Sequence, residues 1–291
     1  MTRRRPARRT GARELQRIGG LRPQRVDLHT HTDRSDGAGS PDEVLSSALR
    51  NGLTWLAIVD HDVEPALPAG RHAAGGAALQ LIHGAEVSGL YAGRERHLLV
   101  YFPGEMPESF RVFLRGRAAA RALRYDAAAS ALGLPAADPA AHRGERALTR
   151  QHLARALVAE RKVSTVDGAF RGPLRVGEAV PFVDIDLVDV ISIALAVGGL
   201  PVWAHPSEDD IDAHLPALCA AGLRGVEAHR PSLSQNVRQS IARKALEHGI
   251  LVTAGSDYHG LPQQRLGRFS VRPEEVGPFF VALGLDPSAG A

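Results

Sequence analysis

Seven apolar runs along the chain predict β-strands, and helical patterns separate many of them. The run Trp55-Leu56-Ala57-Ile58-Val59 is apolar at every position, which is typical of a strand buried on both faces of a parallel sheet. The predicted strands cover residues 25–31, 55–59, 79–88, 97–102, 200–204, 225–228 and 250–254. Strands that alternate with helices favour an α/β fold in which a parallel sheet winds into a barrel, with the chemistry at the carboxyl ends of the strands.

The helical patterns divide the chain into two parts. Ser40-Pro41-Asp42-Glu43 has the pattern of a capping box with proline at the first helical position, and a second helix is expected from Ser234 to Glu247. Residues 105–182 contain no convincing strand; helices are predicted at 110–132 and 149–160, with a loop at 135–144. We therefore expect a barrel formed by residues 25–104 and 183–291, with a helical insertion or cap at 105–182.

Charge and cysteine content narrow the function classes. The chain of 291 residues has a formal net charge of +3, and five arginines among its first nine residues supply much of this excess. Residues 1–24 are expected to be a disordered basic tail with generic affinity for nucleic acid. Cys219 is the only cysteine, which excludes an intrachain disulfide and a thiolate metal cluster. No apolar run approaches the roughly 18 residues of a membrane span, so we expect a cytoplasmic protein without membrane contact.

Histidine and carboxylate residues gather where the predicted strands end. His29 and His31 alternate along the first strand, so both side chains point to one face, about 7 Å apart. Asp36 follows in the turn Ser35-Asp36-Gly37, from which a carboxylate can fold back over the same ion. A single His-x-His pair is weak support for a metal site, because loop caps and core histidines give the same pattern.

The same arrangement recurs at other strand ends, and this repetition favours a metal centre. The candidate metal ligands are His29, His31, Asp36, His61, Glu86, His97, His205, Asp257 and His259. Asp60, Asp62 and Glu227 flank these residues, so we expect them to orient ligands through carboxylate–histidine pairs. Nitrogen and oxygen donors without sulfur suit Mn²⁺, Zn²⁺ or Fe²⁺.

These motifs, in this order, resemble the PHP (polymerase and histidinol phosphatase) superfamily of metal-dependent phosphoesterases. The resemblance rests on Asp-Leu-His-Thr-His with Ser-Asp-Gly, Val-Asp-His-Asp, Gly-Ala-Glu-Val-Ser, Ala-His-Pro and Gly-Ser-Asp-Tyr-His-Gly, and covers residues 27–260. It implies a distorted (β/α)₇ barrel and a site of three divalent metal ions, with manganese the expected metal, held by the nine residues named above. Val63, where a threonine is expected, and the segment Glu227-Ala228-His229-Arg230 depart from the family pattern without removing a ligand.

Within that superfamily the chain resembles the branch that hydrolyses AMP, nucleoside 3′,5′-bisphosphates and short 5′-phosphorylated oligoribonucleotides. Arg150 and His152 in the insertion are candidates to clamp a phosphate, and His229 is a further candidate substrate contact. The expected partner is thus a small phosphorylated nucleotide or short oligonucleotide, cleaved by a metal-bridging hydroxide.

Three alternatives remain open. A histidinol-phosphate-type phosphatase would use the same nine ligands. An amidohydrolase that cleaves C–N bonds would usually bridge two metals with a carboxylated lysine, but Lys162 and Lys244, the only lysines, do not lie at strand ends. A non-catalytic metal-binding module would be expected to have lost some of the ligands.

Overall fold

The computed structural model describes residues 23–290. Its strands are β1 (Val26–Thr30), β2 (Trp55–Ile58), β3 (Gly70–Ala74), β4 (Ala77–Tyr91), β5 (Arg94–Tyr101), β6 (Leu200–Trp203), β7 (Gly225–His229) and β8 (Leu251–Ala254). Its α-helices are α1 (Pro41–Arg50), α2 (Glu108–Leu132), α3 (Pro139–His142), α4 (Arg150–Ala159), α5 (Val166–Arg171), α6 (Leu187–Ala196), α7 (Glu208–Ala220), α8 (Gln235–Glu247) and α9 (Gly277–Ala282). Short 3₁₀ helices cover Pro273–Val276 and Pro287–Gly290.

The strands form one sheet in the order β1-β2-β4-β5-β6-β7-β8, and β3 pairs with β4 outside this path. The ends of this order approach each other: Thr30, in β1, forms a parallel bridge with Tyr258, which follows β8. The His31 N–H donates to the Tyr258 carbonyl at 2.8 Å. The first and last strands therefore meet near their carboxyl ends, where the candidate ligands lie.

Sheet direction is the main departure from the sequence prediction. The pairs β1–β2, β2–β4, β6–β7 and β7–β8 are parallel, as expected, but β5 runs antiparallel to both β4 and β6. β4 and β5 form a hairpin whose turn residues, Ala92 and Gly93, have φ values of 50° and 72°. Because β5 is reversed, His97 near its start lies at the same edge of the sheet as the ends of the parallel strands.

Two further elements were missed or placed differently by the sequence pattern. β3 is an eighth strand, mostly exposed, so it lacks the apolar alternation that would have predicted it. The predicted loop at 135–144 contains the four-residue helix α3, whose N-cap Asp138 accepts a hydrogen bond from the Ala141 N–H at 3.0 Å. Such a short helix depends on its cap rather than on periodicity.

Several predicted helix boundaries are confirmed. Ser40 forms the expected capping box with Glu43, and α8 begins directly after the N-cap Ser234. Within the described residues 105–182 the secondary structure consists of helices α2–α5 and one isolated bridge, Val176–Val180. Nine buried apolar residues of this segment form a core cluster of their own: Ala128, Ala129, Leu134, Leu153, Ala154, Leu157, Ala169, Leu174 and Val180.

Apolar side chains fill both sides of the sheet. One cluster packs α6, α7 and α8 against β4–β7, and another gathers Trp55, Tyr101, Phe279 and Phe280 on the other side. The predicted basic tail, residues 1–24, lies outside the described residues except for its last two positions. No helix within residues 23–290 combines the length and apolar character needed to cross a bilayer.

Candidate metal centre

The ends of the strands bring candidate ligands from distant parts of the chain into one buried cluster. Geometry defines three groups of side chains whose donor atoms lie within 4.8 Å of one another. They are His29, His31, Glu86 and Asp257; His31, Asp36, His61 and His259; and His61, Glu86 and His97. Each pair of groups shares one residue, namely His31, His61 or Glu86. The cluster therefore has the connectivity expected when neighbouring ions are close enough to share ligands.

The first group joins β1 and β4 to the loop after β8. The Nε2 atoms of His29 and His31 are 3.0 Å apart, and Glu86 Oε2 lies 3.1 Å and 3.2 Å from them. Asp257 Oδ1 lies 3.5 Å and 3.4 Å from the same two nitrogens. His29, His31 and Glu86 have no solvent exposure. Their separations are close to the ligand–ligand distances around one ion with bonds of about 2.0–2.2 Å.

The second group joins the turn after β1 to the loop after β8. His259 Nε2 lies 3.2 Å from Asp36 Oδ1, and His61 Nε2 lies 3.8 Å from Asp36 Oδ2. The ring of His31 stacks on the rings of His259 and His61, with centroids 4.2 Å and 4.7 Å apart. Asp36 thus folds back towards the histidines, as its position in the turn predicted.

The third group contacts both carboxylate oxygens of Glu86. His97 Nδ1 lies 3.0 Å from Glu86 Oε1, while His61 Nδ1 lies 3.3 Å from Glu86 Oε2. His205 is outside the three groups, but its Nε2 lies 2.8 Å from Glu86 Oε1 and 3.1 Å from His97 Nδ1. The structure therefore brings all nine predicted ligands together, with Glu86 at the centre.

The donor atoms fit divalent cations better than hydrogen bonding with one another. Asp36 Oδ1 and His61 Nδ1 are buried and make no hydrogen bond within residues 23–290, although His259 Nε2 and Glu86 Oε2 lie 3.2 Å and 3.3 Å away. Short distances without hydrogen-bonding geometry arise when lone pairs point to a common third position. Imidazole and carboxylate donors suit Mn²⁺, Zn²⁺ and Fe²⁺.

Mutual electrostatics perturb the pKa values of the cluster strongly. Burial opposes charge at Glu86 and Asp36, but the surrounding histidines outweigh it and hold both pKa values well below the ordinary range. Burial lowers the pKa of His31, yet hydrogen bonds to Asp257 and Glu86 raise it to about 10. Burial dominates at His61 and keeps its pKa well below the ordinary value. Without cations, protons on some of the histidines balance the carboxylate charge.

Three residues at the site adopt left-handed backbone conformations. His205, Asp257 and Asp62 have φ values of 35°, 53° and 48°. The His205 N–H donates to Glu227 at 2.9 Å, and the Asp257 carbonyl accepts from Gln264 Nε2 at 3.2 Å. Such conformations are costly for residues other than glycine, and they persist where surrounding contacts hold them, often at functional sites.

The carboxylates that flank the ligands act differently from one another. Glu227 Oε1 lies 2.9 Å from His29 Nδ1, which confirms the predicted carboxylate–histidine pair at this position. A proton on Nδ1 then leaves the Nε2 lone pair facing the cluster. Asp60 and Asp62 form no such pair with a histidine within residues 23–290; they hold neighbouring segments instead. Asp60 accepts hydrogen bonds from the turn that carries Asp36, while Asp62 accepts from the Ser88 N–H and from Arg121.

The three predicted substrate contacts touch none of the cluster's donor atoms in the described part of the chain. Arg150 places its guanidinium over the ring of Phe170, 5.5 Å from the centroid. His152 belongs to the capping box of α4: its Nδ1 accepts from the Thr149 N–H at 3.0 Å. Burial lowers its pKa to about 4, so the ring is neutral at pH 7. His229 is half-buried at the end of β7, and burial lowers its pKa.

Two arginines that link the insertion to the site were not singled out from the sequence. Arg155 Nη2 donates to the carbonyl of Asp36 at 3.0 Å. Arg121, from α2, is buried and donates to Asp62 at 2.5 Å and to Ser88 at 2.6 Å. Arg121 lies on the face of α2 that packs towards the sheet. Because α2 is rich in alanine and arginine and its apolar stripe is weak, the sequence pattern does not reveal which face that is.

Comparison with known sequences places this geometry in context. A profile of the PHP domain matches residues 27–134. The 5′-3′ exoribonuclease Rnm of Salmonella typhimurium is 33% identical over 257 residues, which are 83% of this chain and 88% of the relative. The phosphoribosyl 1,2-cyclic phosphate 1,2-diphosphodiesterase of Eggerthella lenta is 30% identical over 80% of this chain and 94% of the relative. The 3′,5′-nucleoside bisphosphate phosphatase of Chromobacterium violaceum is 30% identical over 80% and 87%.

A solved structure from Bifidobacterium adolescentis, described as a candidate metal-dependent phosphoesterase, superposes with a TM-score of 0.70 at 25% identity. The match covers 91% of this chain and 98% of that chain. The fold and the buried cluster of histidines and carboxylates define an α/β protein built to bind divalent metals. The chain belongs to the PHP family.

Proposed function

We propose that this protein is a metal-dependent phosphoesterase that hydrolyses AMP, nucleoside 3′,5′-bisphosphates and short 5′-phosphorylated oligoribonucleotides. The observation that carries the proposal is the set of three donor groups that share His31, His61 and Glu86. The named activities of the relatives from Salmonella and Chromobacterium support the nucleotide substrate class. Substrates of this kind favour the cytoplasm as the place of action.

The nine candidate ligands are proposed to hold three divalent ions, manganese being the first choice and zinc or iron the alternatives. When bound, these ions supply an activated water and neutralise charge on the phosphoryl group. The protein's own part is to orient the donors: Glu227 fixes the tautomer of His29, and the hydrogen bonds around Asp60 hold the turn that carries Asp36. Both devices organise the centre before substrate binds.

The helical insertion is proposed to act as a cap that contacts the nucleotide. Arg155 connects α4 to Asp36, so this helix lies beside the mouth of the site. Arg150 and His152 on the same helix, together with His229 at the end of β7, are the proposed substrate contacts. Because the pKa of His152 is about 4, this residue would contact a phosphate as a neutral hydrogen-bonding group, whereas Arg150 would contribute charge.

The structure argues against a lysine-bridged amidohydrolase. Lys244 lies on α8 and pairs with Asp212 at 2.5 Å and Glu208 at 3.3 Å, away from the cluster. Lys162 follows α4 in the insertion, where its Nζ lies near Gly133. Neither lysine is in a position to bridge ions between His29 and Asp257.

A panel of substrates tests the proposal directly. AMP, adenosine 3′,5′-bisphosphate, a 5′-phosphorylated diadenylate, histidinol phosphate and an N-acyl amide would be assayed with Mn²⁺, Zn²⁺ or Fe²⁺. We expect the highest kcat/KM on one of the nucleotides. A higher value on histidinol phosphate would assign the protein to the alternative phosphatase class, and release of an amine alone would reject phosphoester hydrolysis.

A further inference from the structure

A basic cavity lies beside the metal centre, on the side formed by α8 and the segment after β8. Its volume is about 440 Å³, within the range of roughly 300–1,000 Å³ found for small-molecule pockets. The lining residues are Pro231, Arg238, Ser256, Tyr258, Gln263, Gln264, Arg265, Arg268 and Phe269. We refer to it as the arginine cavity.

The arginine cavity has an excess of unpaired positive charge. It is lined by three arginines and by no carboxylate. Among the ion pairs formed within residues 23–290, none involves Arg238, Arg265 or Arg268, whereas arginines such as Arg96 and Arg124 pair with carboxylates at 2.8 Å and 2.7 Å. Like charges held together repel one another unless an anion joins them.

Arg238 is held in position even though no carboxylate holds it. Its guanidinium lies over the ring of Phe269, 5.4 Å from the centroid. Its Nε is buried and donates no hydrogen bond within the described part of the chain. Leaving such a buried donor unsatisfied costs free energy, so the group is well placed to gain from an incoming acceptor. Planar guanidinium groups match phosphate oxygens in geometry as well as in charge.

The remaining lining residues suit a nucleotide more than a simple anion. Tyr258 contributes an aromatic ring, while Ser256 and Gln263 contribute a hydroxyl and an amide; the ring of Phe269 supports Arg238. Sites for single-stranded nucleic acid combine arginine with aromatic rings in this way, because the first contacts the backbone and the second stacks on bases.

Gln264 connects the arginine cavity to the metal centre. Its Oε1 accepts from the His259 N–H at 2.7 Å, and its Nε2 donates to the Asp257 carbonyl at 3.2 Å. Ser256 and Tyr258, which line the cavity, are the neighbours of Asp257 in sequence. One wall of the cavity is therefore the backbone that carries two candidate ligands. The insertion contacts a different part of the centre, the turn that contains Asp36.

From this arrangement we infer that the arginine cavity binds the nucleotide and phosphate that lie downstream of the scissile phosphate in a short oligoribonucleotide. The inference rests on the proposed function and extends it, because it assigns a binding site to the part of the substrate that is released after cleavage. Adenosine 3′,5′-bisphosphate has nothing beyond its 3′ phosphate. A 5′-phosphorylated triadenylate carries further nucleotides that can reach Arg238, Arg265 and Arg268.

The test compares these two substrates in Arg265→Gln and Arg268→Gln, since both arginines are exposed and their replacement spares the core. The ratio of kcat/KM on the triadenylate to kcat/KM on the bisphosphate is expected to fall about tenfold to a hundredfold, the worth of a charge-assisted contact. Arg243→Gln is the matched control, because it removes the same charge from α8 at a residue that pairs with Glu247. Its ratio should stay at the wild-type value. An unchanged ratio in both cavity variants would overturn the inference.

A binding measurement separates failure of this inference from failure of the proposed function. Fluorescence anisotropy would follow a labelled 5′-phosphorylated triadenylate on the full chain with chelator present, where hydrolysis is prevented. Arg268→Gln should weaken binding by about tenfold relative to Arg243→Gln. If wild type hydrolyses no nucleotide but the two variants differ in affinity as expected, the proposed function fails and the cavity assignment stands. Equal affinities in the two variants would reject the cavity whatever the activity.

Discussion

At the residue scale, Gly255 shows how closely the backbone approaches the ligands. A Cβ atom at this position would lie 2.2 Å from the Cβ of His29 and 2.5 Å from Glu227 Oε1. Both contacts are far below van der Waals distance, and both involve the pair that orients His29. The glycine of the Gly-Ser-Asp-Tyr-His-Gly motif is therefore required by space.

We expect Gly255→Ala to displace His29 and to lower the free energy of unfolding by about 1–3 kcal/mol, the usual cost of overpacking. Gly116→Ala is the control, since nothing lies within 4 Å of an added Cβ there and the residue is inside α2. That change should raise stability by about 0.5–1 kcal/mol. Urea unfolding measures both. A Gly255→Ala variant as stable as wild type would contradict the packing argument.

His152 makes the free energy of unfolding depend on pH. Its folded-state pKa of about 4 lies below the ordinary 6.5, because burial disfavours the charged ring. Between these values the unfolded chain binds a proton that the folded chain does not. Stability from this residue is therefore complete above pH 6.5 and is lost as the pH falls towards 4, by about 3 kcal/mol at most.

His152→Gln removes this titration and keeps a residue type that suits the third position of a capping box. The wild type should lose more stability than the variant between pH 7 and pH 4.5, as measured by urea unfolding at both pH values. The difference isolates His152 from the other histidines. Parallel losses in the two proteins would show that the residue titrates normally in the folded state.

At the scale of elements, α2 is joined to the sheet by a buried ion pair. Arg121 Nε and Asp62 Oδ2 are 2.5 Å apart, and both residues are at most 5% exposed. The same guanidinium reaches Ser88, two residues after Glu86, and Asp62 follows His61. This contact therefore connects the insertion to the backbone segments that carry two candidate ligands.

Arg121→Met should destabilise the protein by about 3–5 kcal/mol, because it leaves the Asp62 carboxylate buried without its partner. Arg115→Met on the same helix is the control, since Arg115 is 37% exposed and its pairs are worth at most about 1 kcal/mol. The double variant Arg121→Met/Asp62→Asn should recover part of the loss in a double-mutant cycle. Additive effects of the two changes would disprove the coupling.

At the scale of the whole molecule, bound cations should cross-link strands that are distant in sequence. The candidate ligands come from β1, β4, β5 and the segments that follow β1, β2, β6 and β8, so ions would connect distant parts of the chain. Protein loaded with manganese should contain close to three ions per chain by elemental analysis. Each ion present at a hundredfold excess over its Kd adds about 2.7 kcal/mol to stability, so chelation should lower Tm.

His31 belongs to two of the donor groups, so His31→Ala should reduce the ion content and abolish turnover. Asp257→Asn, which retains size and removes charge, should also abolish turnover. One ion per chain with full activity in the wild type would refute a centre of three ions. A Tm that does not change with chelator would refute the cross-linking role of the ions.

Metal loading should also release protons. With a pKa of about 10, His31 carries a proton at pH 7 in the metal-free protein, and a metal ion can bind the ring only after displacing it. Metal affinity should therefore increase as the pH rises from 6 to 8. Calorimetric titration in buffers of different ionisation enthalpy counts the released protons; no release would mean that His31 is neutral before metal binds.

Local sequence determined much of this protein. A strand's apolar run and the polar residues directly after it are adjacent in sequence, so β1, β2, β6, β7 and β8 and the ligand candidates near their ends could be predicted. The parallel strands then bring those ends together because they share one edge of the sheet. Capping signals such as Ser40 with Glu43 likewise depend on neighbouring residues, which is why the start of α1 was predicted.

Only the tertiary structure decided what depends on pairing and packing between distant segments. The reversed direction of β5 follows from its hairpin with β4, and an apolar pattern carries no information about strand direction. The buried contact of Arg121 and the gathering of Arg238, Arg265 and Arg268 around one cavity join residues whose positions are set by the fold. The sequence does not show whether an arginine faces water, a carboxylate or a cavity, because long-range packing determines its partner.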